Sequence, residues 1–107
     1  MYIHLYSNDM RFAWDRKKSD ANYRERGFDF AFASLIFGGS VLMVEDTRRE
    51  YGERRFAAIG LADRIHITLV YTDRTGPKND IIRRIISARR SSRKERKLYD
   101  QTCEQNQ

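Results

Sequence analysis

The stretch Ile81–Arg90, IIRRIISARR, constrains the fold more than any other part of the chain. Its paired isoleucines are β-branched and favour a strand, but its arginines also come in pairs. Successive side chains of a strand point to opposite faces, so a strand here sets a guanidinium on each face of its sheet. A sheet buried on both sides is therefore excluded. The alternation sorts the stretch into two rows. Ile81, Arg83, Ile85, Ser87 and Arg89 point one way, and Ile82, Arg84, Ile86, Ala88 and Arg90 the other. The second row is slightly more apolar, so it is expected to face the core, with Arg84 at its margin.

The rest of the sequence supplies the partners of this strand. At 107 residues there is room for one compact domain with one core. Residues 1–9 read as an extension, 10–104 as the domain and 105–107 as a polar tail. Phe12 and Trp14 alternate with polar or small neighbours, a short strand pattern. Residues 15–26 form a polar helix closed by Gly27. Residues 28–37 are densely apolar and stop at Gly38-Gly39, which predicts a short buried helix. Strands follow at 40–45, 54–60, 64–72 and 80–88. The third of these has the cleanest alternation: Ile65, Ile67, Leu69 and Tyr71 share one face, and Arg64, His66, Thr68 and Thr72 the other. Short connections predict an antiparallel meander. The expectation is an α+β domain, with N-terminal helices packed on a small antiparallel sheet and a basic helix from about Arg93 at the C-terminus.

Charge then suggests a ligand. The net charge is +6, and between Arg83 and Lys97 eight Arg or Lys stand against one acid, Glu95. Such a local excess attracts polyanions, of which nucleic acid is the commonest in cytoplasm, although a solvated charged face is the plainer explanation. Ser92-Arg93-Lys94-Glu95 is a capping box that fixes a helix start. Arg93 and Lys94 then sit in the first turn, where cations oppose the helix dipole at a cost of roughly 0.3–1 kcal/mol each. That placement makes sense if an anion sits there in use.

Cutting RNA without a metal needs a group to activate the 2′-hydroxyl, positive charge for the phosphorane and a proton for the leaving oxygen. Arginine forks supply the charge. His66 and Glu53 are the candidate proton carriers, since Glu95 is already engaged as a cap. Tyr71 and Tyr99 could position a ribose or stack on a base, though Tyr71 lies on the apolar row. No glycine-rich phosphate loop and no metal-ligand spacing occurs, so no cofactor is expected. Cys103, the single cysteine, allows no internal disulfide. The absence of an apolar run of about 18 residues argues against a membrane span, and the N-terminus lacks the pattern of a signal peptide. A reducing, cytoplasmic setting is expected.

Four blocks in order, FAWDRKKSDANYRERGFDFAFA (12–33), GERRFAAIG (52–60), IHITLVYTDR (65–74) and RIISARRSSRKERKLY (84–99), resemble the BrnT toxin family over nearly all of residues 10–99. The resemblance implies a RelE-like fold and a ribonuclease toxin of a type II toxin–antitoxin pair. It further implies a cognate, DNA-binding BrnA-like antitoxin, a toxin–antitoxin hetero-oligomer, and RNA as the target, either free or on the ribosome. Matching the family's blocks are Trp14, Asp15, Asn22, Gly27, Glu53, Arg55, Arg74, Arg84, Ser87, Arg89, Glu95 and Tyr99; Trp14, Asn22 and Gly27 suit structural work better. The catalytic set expected is Arg55, Arg74, Arg84 and Arg89 around the phosphate, with Glu53 or His66 handling protons. Arg90, Arg93, Lys94, Arg96, Lys97 and Tyr99 would contact flanking RNA. The rival readings are a non-catalytic RNA- or ribosome-binding module and a surface mainly for docking the antitoxin. Where family members usually carry Lys-His-Gly, this chain has Glu25-Arg26-Gly27.

Overall fold

The computed structural model describes residues 10–104, so the expected extension at 1–9 and the tail at 105–107 lie outside the described residues. The elements are β1 (Met10–Trp14), α1 (Arg16–Arg26), α2 (Phe30–Ala33) running into a 3₁₀ segment (Ser34–Gly38), β2 (Leu42–Glu45), β3 (Phe56–Ala62), β4 (Ile65–Thr75), β5 (Ile81–Arg90) and α3 (Arg93–Glu104). Five strands form one sheet in the order β1-β5-β4-β3-β2. The α+β class is as expected, but the sheet is not purely antiparallel. β2 to β5 form the meander, while β1 lies parallel to β5, with Met10 opposite Ile81 and Trp14 opposite Ile85. The chain thus enters the sheet before it makes its helices, and those helices are part of the long crossover that a parallel pair requires.

Local chemistry sets the element ends. Asp15 caps α1, its carboxylate accepting from the amides of Lys17 and Lys18, and Gly27 closes it at φ 87°, a left-handed conformation that glycine adopts without strain. The amide of Phe30 donates to the Ser19 hydroxyl at 3.0 Å, and the Asn22 side-chain amide donates to the Phe28 carbonyl at 2.9 Å. Both side chains are buried, so Asn22 holds the bend between α1 and α2. Asp63 and Arg64, at φ 48° and 67°, turn β3 into β4 in the mirror-image conformation that suits the twist of a hairpin.

The main core lies between one face of the sheet and α1, α2 and the 3₁₀ segment. Phe30, Ala33, Ile36 and Phe37 pack there on Ala58, Ile67, Leu69, Tyr71, Ile85 and Ala88. Gly60 permits the closest approach: a Cβ there would stand 2.8 Å from Ile36 Cβ. On the opposite face α3 folds back over one corner, where Tyr99 and Cys103 cover Ile59 and Leu42. No helix among the described residues is long and apolar enough to cross a membrane.

The expected rows of β5 need correction. Ile85 and Ala88 are both buried, at 1% exposure each, although strict alternation assigns them to opposite faces. A bulge explains this: Ile85 pairs with Tyr71 and Ser87 with Val70, so Ile86 is an inserted residue. Below the bulge it is Arg83, not Arg84, that shares the core face. Its guanidinium lies 4.2 Å from the ring centre of Tyr71 and 4.8 Å from that of Phe37, and it makes a two-pronged ion pair with Asp73 at 2.8 and 2.9 Å.

Candidate functional site

The face of the sheet opposite the main core is built from cross-strand rows. Leu42, Ile59, Thr68 and Arg89 align across β2 to β5, and Val44, Ala57, Val70 and Ser87 form the next row. Thr72 then pairs with Arg84, and Arg74 with Ile82. Since paired residues share a face, Arg74, Arg84 and Arg89 all stand on this side. They are not equally close. Arg74 and Arg84 are diagonal neighbours, whereas the partners of Arg84 and Arg89, Thr72 and Thr68, stand four positions apart on β4, about 13 Å along the strand. Both terminal nitrogens of Arg89 are drawn to Glu95 at the start of α3, away from Arg84, so Arg89 belongs to a second position.

The first position centres on Arg84. Glu53, in the loop before β3, accepts from Arg55 Nε at 3.1 Å and from Arg74 Nη2 at 3.4 Å. The Arg55 guanidinium also lies 4.1 Å from the ring centre of Tyr51. Arg55 reaches this face because the β2–β3 pairing runs one step beyond the strands, the Asp46 amide donating to the Arg55 carbonyl at 2.7 Å. Thr72 secures the same loop, its hydroxyl donating to the Arg54 carbonyl at 2.8 Å. Arg84 is half-buried and forms no ion pair or side-chain hydrogen bond with another described residue.

The second position is a shallow cleft of about 290 Å³ between the loop after β2 and the start of α3, bordered by Arg48, Arg89, Glu95 and Thr68. The capping box forms as expected: the Ser92 amide donates to Glu95 Oε1 at 2.7 Å, and the Glu95 amide donates to the Ser92 hydroxyl at 3.1 Å. The same carboxylate accepts from both terminal nitrogens of Arg89, at 2.7 and 2.8 Å, and from the Thr68 hydroxyl at 3.1 Å. Arg89 above all holds the Glu95 carboxyl down to about 2. Opposite, Arg48 makes a two-pronged pair with Asp46 at 2.8 and 2.9 Å, which also lowers that carboxyl to about 2. Glu95 raises the pKa of Arg89 while the charge of Arg48 works against it, so the two guanidiniums face a common space.

Other expected site residues fall elsewhere. His66 is on the open face, but α3 covers it: its Nε2 lies 2.8 Å from Asp100 Oδ1 and its ring meets Tyr99 edge-on. It is six residues along β4 from Thr72, about 20 Å from the Arg84 row. Tyr99 is turned inward, 6% exposed, with its hydroxyl donating to the Ser40 carbonyl at 2.8 Å. Arg93, Lys94, Arg96 and Lys97 are exposed on α3, and Arg96 also donates to the Ser91 carbonyl at 2.9 Å. Arg90 pairs with Ile67 and lies on the other face. Arg26, in the departing Glu-Arg-Gly, donates to the Ala88 carbonyl at 2.7 Å and ties α1 to β5. Sequence reasoning missed Arg48 and Asp46, which sit in an irregular loop where no period marks direction; their i, i+2 spacing was the one available signal.

A family described as "Ribonuclease toxin, BrnT, of type II toxin-antitoxin system" matches residues 14–95, from the last residue of β1 to the capping glutamate of α3. No curated protein matches the chain in sequence.

Proposed function

Because the chain belongs to the BrnT family of ribonuclease toxins of type II toxin–antitoxin systems, we propose that it is a metal-independent endoribonuclease whose scissile phosphate rests on the Arg84 row. The observation that carries this reading is the state of Arg84. Each neighbouring arginine of the open face has a carboxylate partner, Arg55 and Arg74 on Glu53, Arg89 on Glu95 and Arg48 on Asp46. Arg84 alone stands half-buried without one among the described residues. A desolvated cation without a counter-ion is costly, and a phosphodiester satisfies it through two parallel hydrogen bonds.

The chemistry follows from the neighbours. Arg84 and Arg74 stabilise the charge that grows on the non-bridging oxygens as the phosphorane forms. The Glu53 carboxylate, held by Arg55 and Arg74, takes the proton of the 2′-hydroxyl. The 2′-oxygen then bonds to phosphorus, the bond to the 5′-oxygen breaks, and that oxygen takes its proton from water on the open face. The products are a cyclic phosphate and a 5′-hydroxyl end. His66, under α3, is better placed to hold that helix than to move protons here. The exposed cations of α3 and Arg89 hold flanking phosphates and steer the strand.

A type II family implies a protein antitoxin as well as an RNA substrate. We take the antitoxin to be BrnA-like and DNA-binding, forming a hetero-oligomer that covers this basic face in the cytoplasm, and the fold to be a relative of RelE toxins. The test is cleavage of RNA, free and on ribosomes, with EDTA present. Arg84→Ala should lower kcat by about 10²–10³-fold and relieve growth arrest, while Arg84→Lys restores only part. Undiminished cutting by Arg84→Ala, or cutting that needs added metal, refutes the proposal. RNA that is bound but never cut favours the non-catalytic module, and intact toxicity with lost antitoxin binding favours a docking surface.

A further inference from the structure

Between the Arg84 row and the corner covered by α3, one row of the open face is apolar and bare. Val44, Ala57 and Val70 come from three adjacent strands in direct register. Val44 is 56% exposed and the other two are half-buried. The row ends in Ser87 on β5; unlike Leu42 and Ile59, which Tyr99 and Cys103 cover, its three aligned apolar side chains stay open beside arginine and carboxylate, out of place as solvated surface. The small Ala57 between two valines leaves a shallow trough. Its span is two strand spacings, about 10 Å, the scale of a flat heterocycle. Arg48 and Arg89 border the trough on one side, and Arg84 is one row away on the other.

We propose that Val44, Ala57 and Val70 form a nucleobase platform, which seats the base of a nucleotide whose phosphate lies on the Arg84 row. This rests on the nuclease reading for its substrate and adds a site for the base. The occupant follows from charge and shape together. Cations on both sides call for an anionic chain, and the bare strip between them calls for a flat apolar body attached to that chain. A single-stranded RNA supplies both at the spacing of one nucleotide, because base and phosphate belong to the same unit. An unpaired base buries its faces on the valines while its edge meets the donors that Arg48 and Arg89 leave unused.

The experiment is an abasic scan. A short single-stranded RNA and versions lacking the base at each position in turn are titrated with the full chain and followed by fluorescence anisotropy. Loss of one base should weaken binding about tenfold, the scale of burying one apolar face of a base on aliphatic side chains. Ala57→Leu, which fills the trough, should weaken the intact strand to a similar degree and the matching abasic strand hardly at all. Val44→Ala, which removes bulk at an exposed position, should give a smaller loss at the same nucleotide and guards against a folding defect in the leucine variant. Binding in which every abasic position costs less than about twofold overturns the platform, as does Ala57→Leu weakening intact and abasic strands alike. If Ala57→Leu spares RNA but abolishes antitoxin binding, the row is a protein interface and the proposal is overturned. RNA that binds base-dependently but is never cut refutes the nuclease reading and leaves the platform standing; no RNA binding at all refutes both.

Discussion

Glu95→Gln tests whether the second position is held by charge or by shape. The substitution keeps the side-chain outline and removes the negative charge that four donors converge on: two from Arg89, the Ser92 amide and the Thr68 hydroxyl. A carboxyl lowered from the ordinary 4.5 to about 2 corresponds to at most about 3 kcal/mol of stabilisation of the charged form. That ceiling must be discounted, because the Arg89 side chain is 47% exposed and water screens the pair. About 1–2 kcal/mol remains, or roughly 5–15 °C in Tm for a domain of this size. The folded-state pKa lies below the unfolded value, so the contribution is fully present above pH 4.5 and is lost as pH falls through about 2. The stability gap between the parent and Glu95→Gln should therefore be constant near neutrality and close below pH 4.5. Urea unfolding followed by the fluorescence of Trp14, the single tryptophan, which packs against the main core, measures both. Arg89→Met completes a double-mutant cycle, with an expected coupling of about 1 kcal/mol. A gap that persists unchanged down to about pH 2, or a coupling within the additivity error of about 0.3–0.5 kcal/mol, would refute the electrostatic account.

Two further substitutions separate structure from chemistry on the sheet. Arg83→Ala removes the Asp73 pair and the contacts with Tyr71 and Phe37 and should cost about 2–3 kcal/mol of stability, whereas Arg84→Ala, which removes a half-buried cation, should raise stability by up to about 1 kcal/mol; parallel denaturant curves decide. Gly60→Ala drives a methyl group against Ile36 and Val41 and should destabilise by about 1–3 kcal/mol, seen as a lower urea midpoint with an unchanged slope.

Much of this architecture was legible from period and punctuation. Gly27, the Asp63-Arg64 turn and the Ser92-Glu95 box mark element ends by local chemistry, and local chemistry is what a sequence displays. The alternation of β4 likewise placed Ile67, Leu69 and Tyr71 inward and His66 outward. Two things were not legible. The parallel pairing of β1 with β5 joins residues some seventy positions apart, and nothing in a five-residue strand announces its distant partner. The bulge at Ile86 was equally silent, since inserting one residue leaves the composition of IIRRIISARR unchanged while it exchanges which rows face the core. That slip reversed the expected facing of Arg83 and Arg84. For the site, alternation placed Arg84 and Arg89 on opposite faces; the bulge brings both to the open side, and register alone shows that Arg74 is the closer neighbour of Arg84. His66 looked available because the fold-back of α3, with Asp100 and Tyr99 closing over it, is a tertiary event.

Paired arginines in β5 thus perform two different tasks because alternation forces them apart. Arg83, against Phe37 and Tyr71 and held by Asp73, is committed to the core side and has no path to the open face. Arg84 looks outward into a field that its neighbours keep fixed. Glu53 is shared by Arg55 and Arg74, so that group carries net positive charge even before Arg84 is counted. The carboxyls of Glu95 and Asp46, both lowered to about 2, stay ionised at any cellular pH, so the arginines they orient keep their positions as conditions change. On the proposed reading, the scissile phosphodiester takes up Arg84 and meets beside it guanidiniums already held by their own carboxylates, so little rearrangement is needed as charge develops on its oxygens. Glu95 and Asp46 therefore serve the arginines as positioning groups, while Glu53 in that reading is kept for the proton. Replacing Glu95 or Asp46 with the neutral isostere should lower order at the site while raising overall attraction for RNA, because a negative charge is removed.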